Sequence, residues 1–186
     1  MFLGIDASLT GTGLALINDE YKIEKTLKLT VPHKDIERLF HLENLLLPFI
    51  EDSAKIKLVC IEGPSYQSKD HTLFQLGEWA GIIKLNLFKK GIDVIIAAPS
   101  QLKKYISGKF ESTSKKELVI LDIYKYYGEE IRDNDIADAY VVSRLARDYY
   151  KRFIENIQDD TLKKSQIEVL KKIRDSKIKD DNTTLL

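Results

Sequence analysis

The sequence predicts an α/β fold: a five-stranded mixed sheet, built from an antiparallel three-strand meander plus two parallel strands, with helices on both faces. Three observations predict it. The chain up to Val31 carries strand-like runs joined by short turns, which imply antiparallel neighbours. After Pro32 the apolar residues recur at helical spacing, interrupted by two short and almost wholly apolar runs. Strands joined through helices must then lie parallel by right-handed crossovers.

Taken in order, Phe2 to Asp6 is a short apolar strand ending in an acid, and Gly11-Thr12-Gly13 turns the chain into a second strand, Leu14 to Ile17. Asn18-Asp19-Glu20 signals a turn, and the β-branched, alternating stretch Tyr21 to Val31 reads as the third strand. Ile36, Leu39, Phe40, Leu42, Leu45, Leu46 and Phe49 then mark an amphipathic helix. Lys57 to Glu62 is too uniformly apolar to be half-exposed and suits the middle of a covered sheet, stopped by Gly63-Pro64-Ser65. A helix follows from about His71 to Lys90, closed by Gly91 in the usual C-terminal glycine position. Asp93 to Ala98 is another buried strand, and Pro99-Ser100 opens a short helix with Ser100 as its cap. Ser107 to Ser114 is small and polar and is expected to be a mobile loop. Helices are expected over Ser114 to Tyr127 and Asn134 to Phe153. Ile157 to Ile178 keeps helical spacing amid heavy charge, and DDNTTLL is expected to fray. The expected organisation is one domain over 1–155 and a charged helical extension over 156–186.

Composition bounds the class. With 186 residues, 44% hydrophobic and 31% charged, the chain suits one well-buried domain and not wholesale disorder. The longest apolar run, Ile92 to Ala98, falls far short of a membrane span, and the opening MFLGID has no basic leader, so cytosol is the default compartment. The single cysteine, Cys60, sits in an apolar strand and reads as a buried small hydrophobe. The net charge is zero, whereas binding to phosphate backbones usually shows as a basic excess. Yet Lys103, Lys104, Lys109, Lys115 and Lys116 fall between Gln101 and Lys116 against one acid, Glu111. Such a run is commonly a solvated face; here it also marks candidate DNA contacts.

The chemical signal lies in acids at unlikely places. Asp6 ends a strand expected to be central, and Glu62 ends another right after Val59-Cys60-Ile61. Asp135 and Asp138 stand three apart at a helix start and share a face. Carboxyl ends of neighbouring strands converge on one sheet edge, where open α/β folds place their sites. Singly, a strand-end Asp is most often a turn or cap residue, and Asp135 suits an early-helix acid facing the macrodipole. Four together would repel unless cations bind between them. All-oxygen ligation suits Mg²⁺, with Mn²⁺ able to substitute, and His33, His41 and His71 are too scattered for zinc. Two divalent ions held by acids can cut phosphodiesters, one readying the attacking water and the other stabilising the leaving oxygen.

Four stretches carry a family resemblance: GIDASLTGTGLAL, VCIEGPSY, LFQLGEWAGIIKLNL and DNDIADAYVV. Together they resemble the RuvC-type Holliday junction resolvases of the RNase H-like superfamily, small versions of which occur in bacteriophages; a phage-encoded chain would work in the host cytoplasm. The resemblance runs from residue 1 to about 147 and says nothing of the tail. It implies an endonuclease that resolves four-way DNA junctions by paired symmetric hydrolysis, leaving 5′-phosphate and 3′-hydroxyl ends. It assigns Asp6, Glu62, Asp135 and Asp138 to two Mg²⁺ ions and Lys116 to the scissile phosphate, with Lys115 near enough to exchange with it. An aromatic is expected after the second motif to stack on unpaired bases; Ser65 occupies the aligned position and Tyr66 follows it.

The resemblance further implies a homodimer, because two symmetric cuts need two sites across a two-fold axis. Independently, Leu73, Phe74, Leu76, Trp79, Ile82, Ile83, Leu85, Leu87 and Phe88 are too many for one buried stripe of a helix. Leu73, Leu76, Gly77, Ala80, Gly81 and Lys84 are therefore the expected interface, the glycines allowing close helix approach. Other readings remain. A broader branched-DNA or flap-debranching nuclease fits the same acids. From a different class, DASLTGTG also resembles the phosphate-binding hairpin of actin-like ATPases and sugar kinases, although 186 residues leave no room for their second domain. A catalytically dead, structure-specific DNA-binding protein would have no use for four acids.

Overall fold

The computed structural model describes residues 1–51, 55–64, 70–107 and 116–183. Its elements are β1 (Phe2–Asp6), β2 (Thr12–Ile17), β3 (Ile23–Leu29), α1 (Asp35–Phe49), β4 (Leu58–Glu62), α2 (Asp70–Lys89), β5 (Val94–Ala97), α3 (Pro99–Ser107), α4 (Lys116–Tyr127), α5 (Asn134–Phe153) and α6 (Lys164–Thr183). The strands form one sheet in the order β3-β2-β1-β4-β5, antiparallel across β3-β2-β1 and parallel across β1-β4-β5. This is the expected five-stranded mixed sheet.

Strand alternation divides the core in two. Phe2, Ala15, Ile17, Leu58, Cys60 and Ile95 face α3, α4, α5 and α6, while Leu3, Ile5, Leu14, Leu16, Val59 and Ile61 face α1 and α2. Both faces of β1, β2 and β4 are thus covered, which explains why those strands lack polar alternation. Cys60 is fully buried, and burial pushes its thiol pKa up, as befits an inert core residue. On the α2 side, fully buried Trp79 donates its indole N–H to Thr12 Oγ1 at 2.9 Å. The Thr12 hydroxyl donates in turn to the Ser8 carbonyl at 2.6 Å, pinning the loop that follows Asp6.

The boundaries depart from the sequence reading in two instructive places. The second strand begins at Thr12, so Gly13 belongs to the sheet and not to a turn. Ser100 is not a cap: Pro99 takes the first helical position of α3, where its missing N–H costs nothing, and the Gln101 side chain accepts from the Ala98 N–H at 2.7 Å.

Polar residues inside the α5 face are also unheralded in the sequence. Asp148 is buried, accepts from the Tyr21 hydroxyl at 2.6 Å and from the Tyr105 hydroxyl, and pairs with Arg147 Nη1 at 3.0 Å. Burial raises its pKa, and these three donors counter that rise. The Arg144 guanidinium stacks between the rings of Tyr21 and Tyr127 at 3.9 and 3.7 Å.

The charged tail folds back. Helix α6 packs on α3 and β5, and Val169, Leu170 and Ile173 enter the same core as α5. Leu170→Ala is therefore expected to cost about 2–4 kcal/mol of global stability, read from denaturant unfolding. A loss below about 0.5 kcal/mol, the range of surface substitutions, would mean that α6 is only loosely attached.

Candidate active site

Asp6 and Glu62 close adjacent parallel strands, whose register runs Phe2 to Leu58 through Ile5 to Ile61. Alternation from Phe2 and from Leu58 puts both acids on the face covered by α5. They line one cleft of about 170 Å³ at the carboxyl edge of the sheet, with Ala7, Ser8, Gly63, Pro64, Leu76 and Pro99. This is where a parallel sheet opens and where ligands of such folds are received.

Helix α5 brings the other two acids to the same face. Asp133 is its cap, the carboxylate accepting from the Asp135 and Ile136 N–H groups at 2.9 and 3.2 Å. Asp135 lies in the first turn and Asp138 one turn further on. The close seating of α5 depends on glycines. A Cβ on Gly4 would stand 2.0 Å from the Ala139 carbonyl, and one on Gly13 would stand 1.9 Å from the Asp135 carbonyl. A Cβ on Gly11 would stand 2.5 Å from Asp135 Oδ2. The SLTGTG segment thus carries glycine to admit α5. The room that the missing side chain of Gly11 leaves is taken by the Asp135 carboxylate and the Lys28 stem.

One residue of this site escaped the sequence reading. Lys28 of β3 places its ammonium 2.7 Å from Asp135 Oδ2 and 2.9 Å from Asp133 Oδ2. Hydrogen bonding to Asp135 and then to Asp133 raises the lysine pKa, and Lys28 in return lowers that of Asp133. The only sequence signal for it is register: Asp6 pairs with Gly13, and Gly13 pairs with Lys28. Cross-strand partners share a face, so Lys28 follows Asp6 in one row with a glycine between them.

The donor set suits a hard divalent cation, because every candidate ligand is a carboxylate, and Gly11 leaves the Asp135 carboxylate a space that any side chain would fill. The acids do not form a closed cage: among the described residues no group of three or more stands close enough to hold an ion. Asp6 and Glu62 share the cleft, while Asp135 is engaged by Lys28.

The remaining expected residues divide. Lys103 is half-exposed on α3. Lys104 is turned inward, its side chain 11% exposed and its ammonium 2.5 Å from Glu168 of α6. It is a tie between two helices, a role the lysine-rich stretch did not announce. Lys116 begins α4, its side chain not described, and Tyr66, Lys109 and Lys115 lie outside the described residues, as does most of the expected loop over Ser107 to Ser114. On α2, Trp79, Ile83 and Leu87 are buried against the sheet. The opposite side is open: Phe74, Leu85 and Phe88 are 75%, 51% and 80% exposed, Lys84 is exposed, and a Cβ on Gly77 or Gly81 would meet nothing within 4 Å. Leu73, Leu76 and Ala80 flank that side, partly exposed. No helix among the described residues is long and apolar enough to cross a membrane.

Known proteins share this architecture. The chain is 25% identical over 143 residues to the crossover junction endodeoxyribonuclease RuvC of Corynebacterium glutamicum, a match covering 74% of this chain and 64% of that protein. The fold superposes on Thermus thermophilus RuvC with a TM-score of 0.63 at 22% identity, over 76% of this chain and 89% of that one. It superposes equally, at 0.63 and 21% identity over 76% and 88%, on T. thermophilus RuvC in complex with a Holliday junction substrate. The profile of the family described as crossover junction endodeoxyribonuclease RuvC matches residues 2–144, which take in Asp6, Glu62, Asp135 and Asp138 but stop short of α6. By that match over most of its length, the chain belongs to the RuvC family.

Proposed function

We propose that this chain is a divalent-metal-dependent endonuclease that resolves four-way DNA junctions, cutting two symmetric strands as a homodimer. The observation that carries the reading is the pair Asp6 and Glu62, at the ends of adjacent parallel strands and lining one cleft, in a chain of the RuvC family. Asp6, Glu62, Asp135 and Asp138 would hold two Mg²⁺ ions, with Mn²⁺ able to replace them. When bound, such ions offset phosphate charge, lower the pKa of water and stabilise the departing 3′-oxygen. The protein supplies the rest. Strand ends fix the backbones of Asp6 and Glu62, and the Trp79–Thr12–Ser8 chain of hydrogen bonds fixes the loop beside them. Lys103, Lys109, Lys115 and Lys116 would steer phosphates toward the acidic edge, with Lys116 nearest the scissile group, and Tyr66 would stack on an unpaired base. The open face of α2, with Gly77 and Gly81 between exposed aromatics, suits a second copy related by a two-fold axis.

The test is cleavage of a labelled synthetic four-way junction with Mg²⁺, beside flap, linear duplex and RNA–DNA hybrid substrates. Paired symmetric nicks confined to the junction, with 5′-phosphate ends, are expected. Comparable cutting of flaps would redefine the protein as a broader debranching nuclease. Absence of metal-dependent cutting on every substrate would overturn the nuclease reading.

A further inference from the structure

Asp135 occupies an odd position for a metal ligand, since its carboxylate is held by a lysine. We propose that Lys28 is a built-in counter-cation, pairing with Asp135 until a divalent ion draws that carboxylate into the site. The inference rests on the metal-site reading and deepens it.

The geometry is constructed on three strands and a helix. Asp6, Gly13 and Lys28 form one cross-strand row, so Lys28 rises on the same face as Asp6, two strands away or roughly 10 Å. The gap at Gly13 is filled by the Asp135 backbone, and Gly11 leaves room for the ion pair itself. A Cβ on Gly11 would stand 2.9 Å from Lys28 Cε and 2.5 Å from Asp135 Oδ2. The pair is therefore fitted to its surroundings, unlike two surface charges that happen to meet.

Asp133 gives the pair its second state. Its Oδ1 caps α5, and its Oδ2 holds the Lys28 ammonium at 2.9 Å. Lys28 thus keeps an anionic partner when Asp135 leaves, and the helix keeps its cap. Only one of two ion-pair contacts breaks, and the incoming cation replaces the charge lost. Until then Asp135 is occupied, and apparent cation affinity falls by the fraction of molecules in which it is paired. An ammonium beside the acids also limits their mutual repulsion while no cation is bound.

The experiment measures Mn²⁺ binding to the full chain without DNA, by calorimetry or by the loss of the free-ion electron paramagnetic resonance signal. Lys28→Met keeps the aliphatic stem and removes the charge; Lys28 lies on an exposed edge strand, so the fold should tolerate it. Its Mn²⁺ dissociation constant is expected to fall about fivefold, in keeping with a partly exposed ion pair. Lys28→Gln should behave likewise, and Lys28→Arg, which keeps the pair, should bind as the wild type does. Asp135→Asn should weaken binding in both the wild-type and Lys28→Met backgrounds. Affinity of Lys28→Met and Lys28→Gln within a factor of about two of wild type, or weaker, overturns the role of Lys28 and leaves the metal site standing. Mn²⁺ binding that Asp135→Asn does not alter, or no Mn²⁺ binding at all, overturns the ligand set and the counter-cation with it.

Discussion

Asp6→Asn is expected to lower the rate of Mg²⁺-dependent junction cleavage by roughly a thousandfold, the loss typical of removing a group that stabilises developing charge. The substitution is nearly isosteric, and Asp6 is only partly buried at the open end of β1, so little packing is disturbed. What changes is charge. A neutral amide is a poor partner for a divalent ion, and Asp6 shares its cleft with one other candidate ligand, Glu62, while Asp135 is tied to Lys28. Losing Asp6 therefore removes half of the pair already in place. Junction binding should move the other way, or not at all, because one negative charge facing the phosphates has gone. Three readings separate these effects: cleavage rate in Mg²⁺, gel-shift affinity in Ca²⁺, and the thermal melt. An Asp6→Asn protein that melts like the wild type and cuts at more than about a tenth of its rate would place the metal elsewhere.

The same charge logic explains how much of the molecule was readable in its sequence. The sheet was, because β1, β2 and β4 are covered on both faces and carry unbroken apolar runs, whereas β3 is an edge strand with exposed Glu24, Lys25 and Thr26. The placing of Asp6 and Glu62 at strand ends that share a cleft was too, because a carboxylate closing a buried strand costs desolvation and needs a reason to be there. Lys28 was not. In one dimension it is one lysine in a polar edge strand, and it joins the site only once the β2–β3 register puts it opposite Gly13. Helical periodicity cannot supply that register, and the turn at Asn18-Asp19-Glu20 does not fix it, since the pairing slips between Leu16 and Ile17. The pairing of Lys104 was not legible either. Lys103 precedes it in a lysine-rich stretch, and only the return of α6 reveals that Glu168 pairs with it. The buried Asp148 network was invisible for the same reason, its partners Tyr21 and Tyr105 being 127 and 43 residues away.

Gly4→Ala is expected to be among the most damaging small substitutions in the core, costing at least about 3 kcal/mol, at the upper end of overpacking. Ordinarily an alanine in a strand is tolerated, and one added methyl inside a core is felt modestly. Here the methyl would lie 2.0 Å from the Ala139 carbonyl oxygen, 2.3 Å from the Ser143 amide nitrogen and 2.9 Å from Ser143 Cα. All three are backbone atoms of α5, so no rotamer change relieves the contact and the helix must lift from β1. Because α5 also carries Asp135 and Asp138, the same displacement should lower cleavage in molecules that remain folded. The internal control is the identical exchange at Gly77 on the open face of α2, where the new methyl meets nothing within 4 Å. There the helix gains an alanine in place of its poorest non-proline residue, worth about 0.5–1 kcal/mol in the stabilising direction. Urea melts at low protein concentration, where any dimer has dissociated, should therefore move in opposite directions for the two variants. If Gly4→Ala proves as benign as Gly77→Ala, α5 does not sit as closely on β1 as the glycine contacts imply, and the placement of Asp135 and Asp138 over the sheet would have to be redrawn.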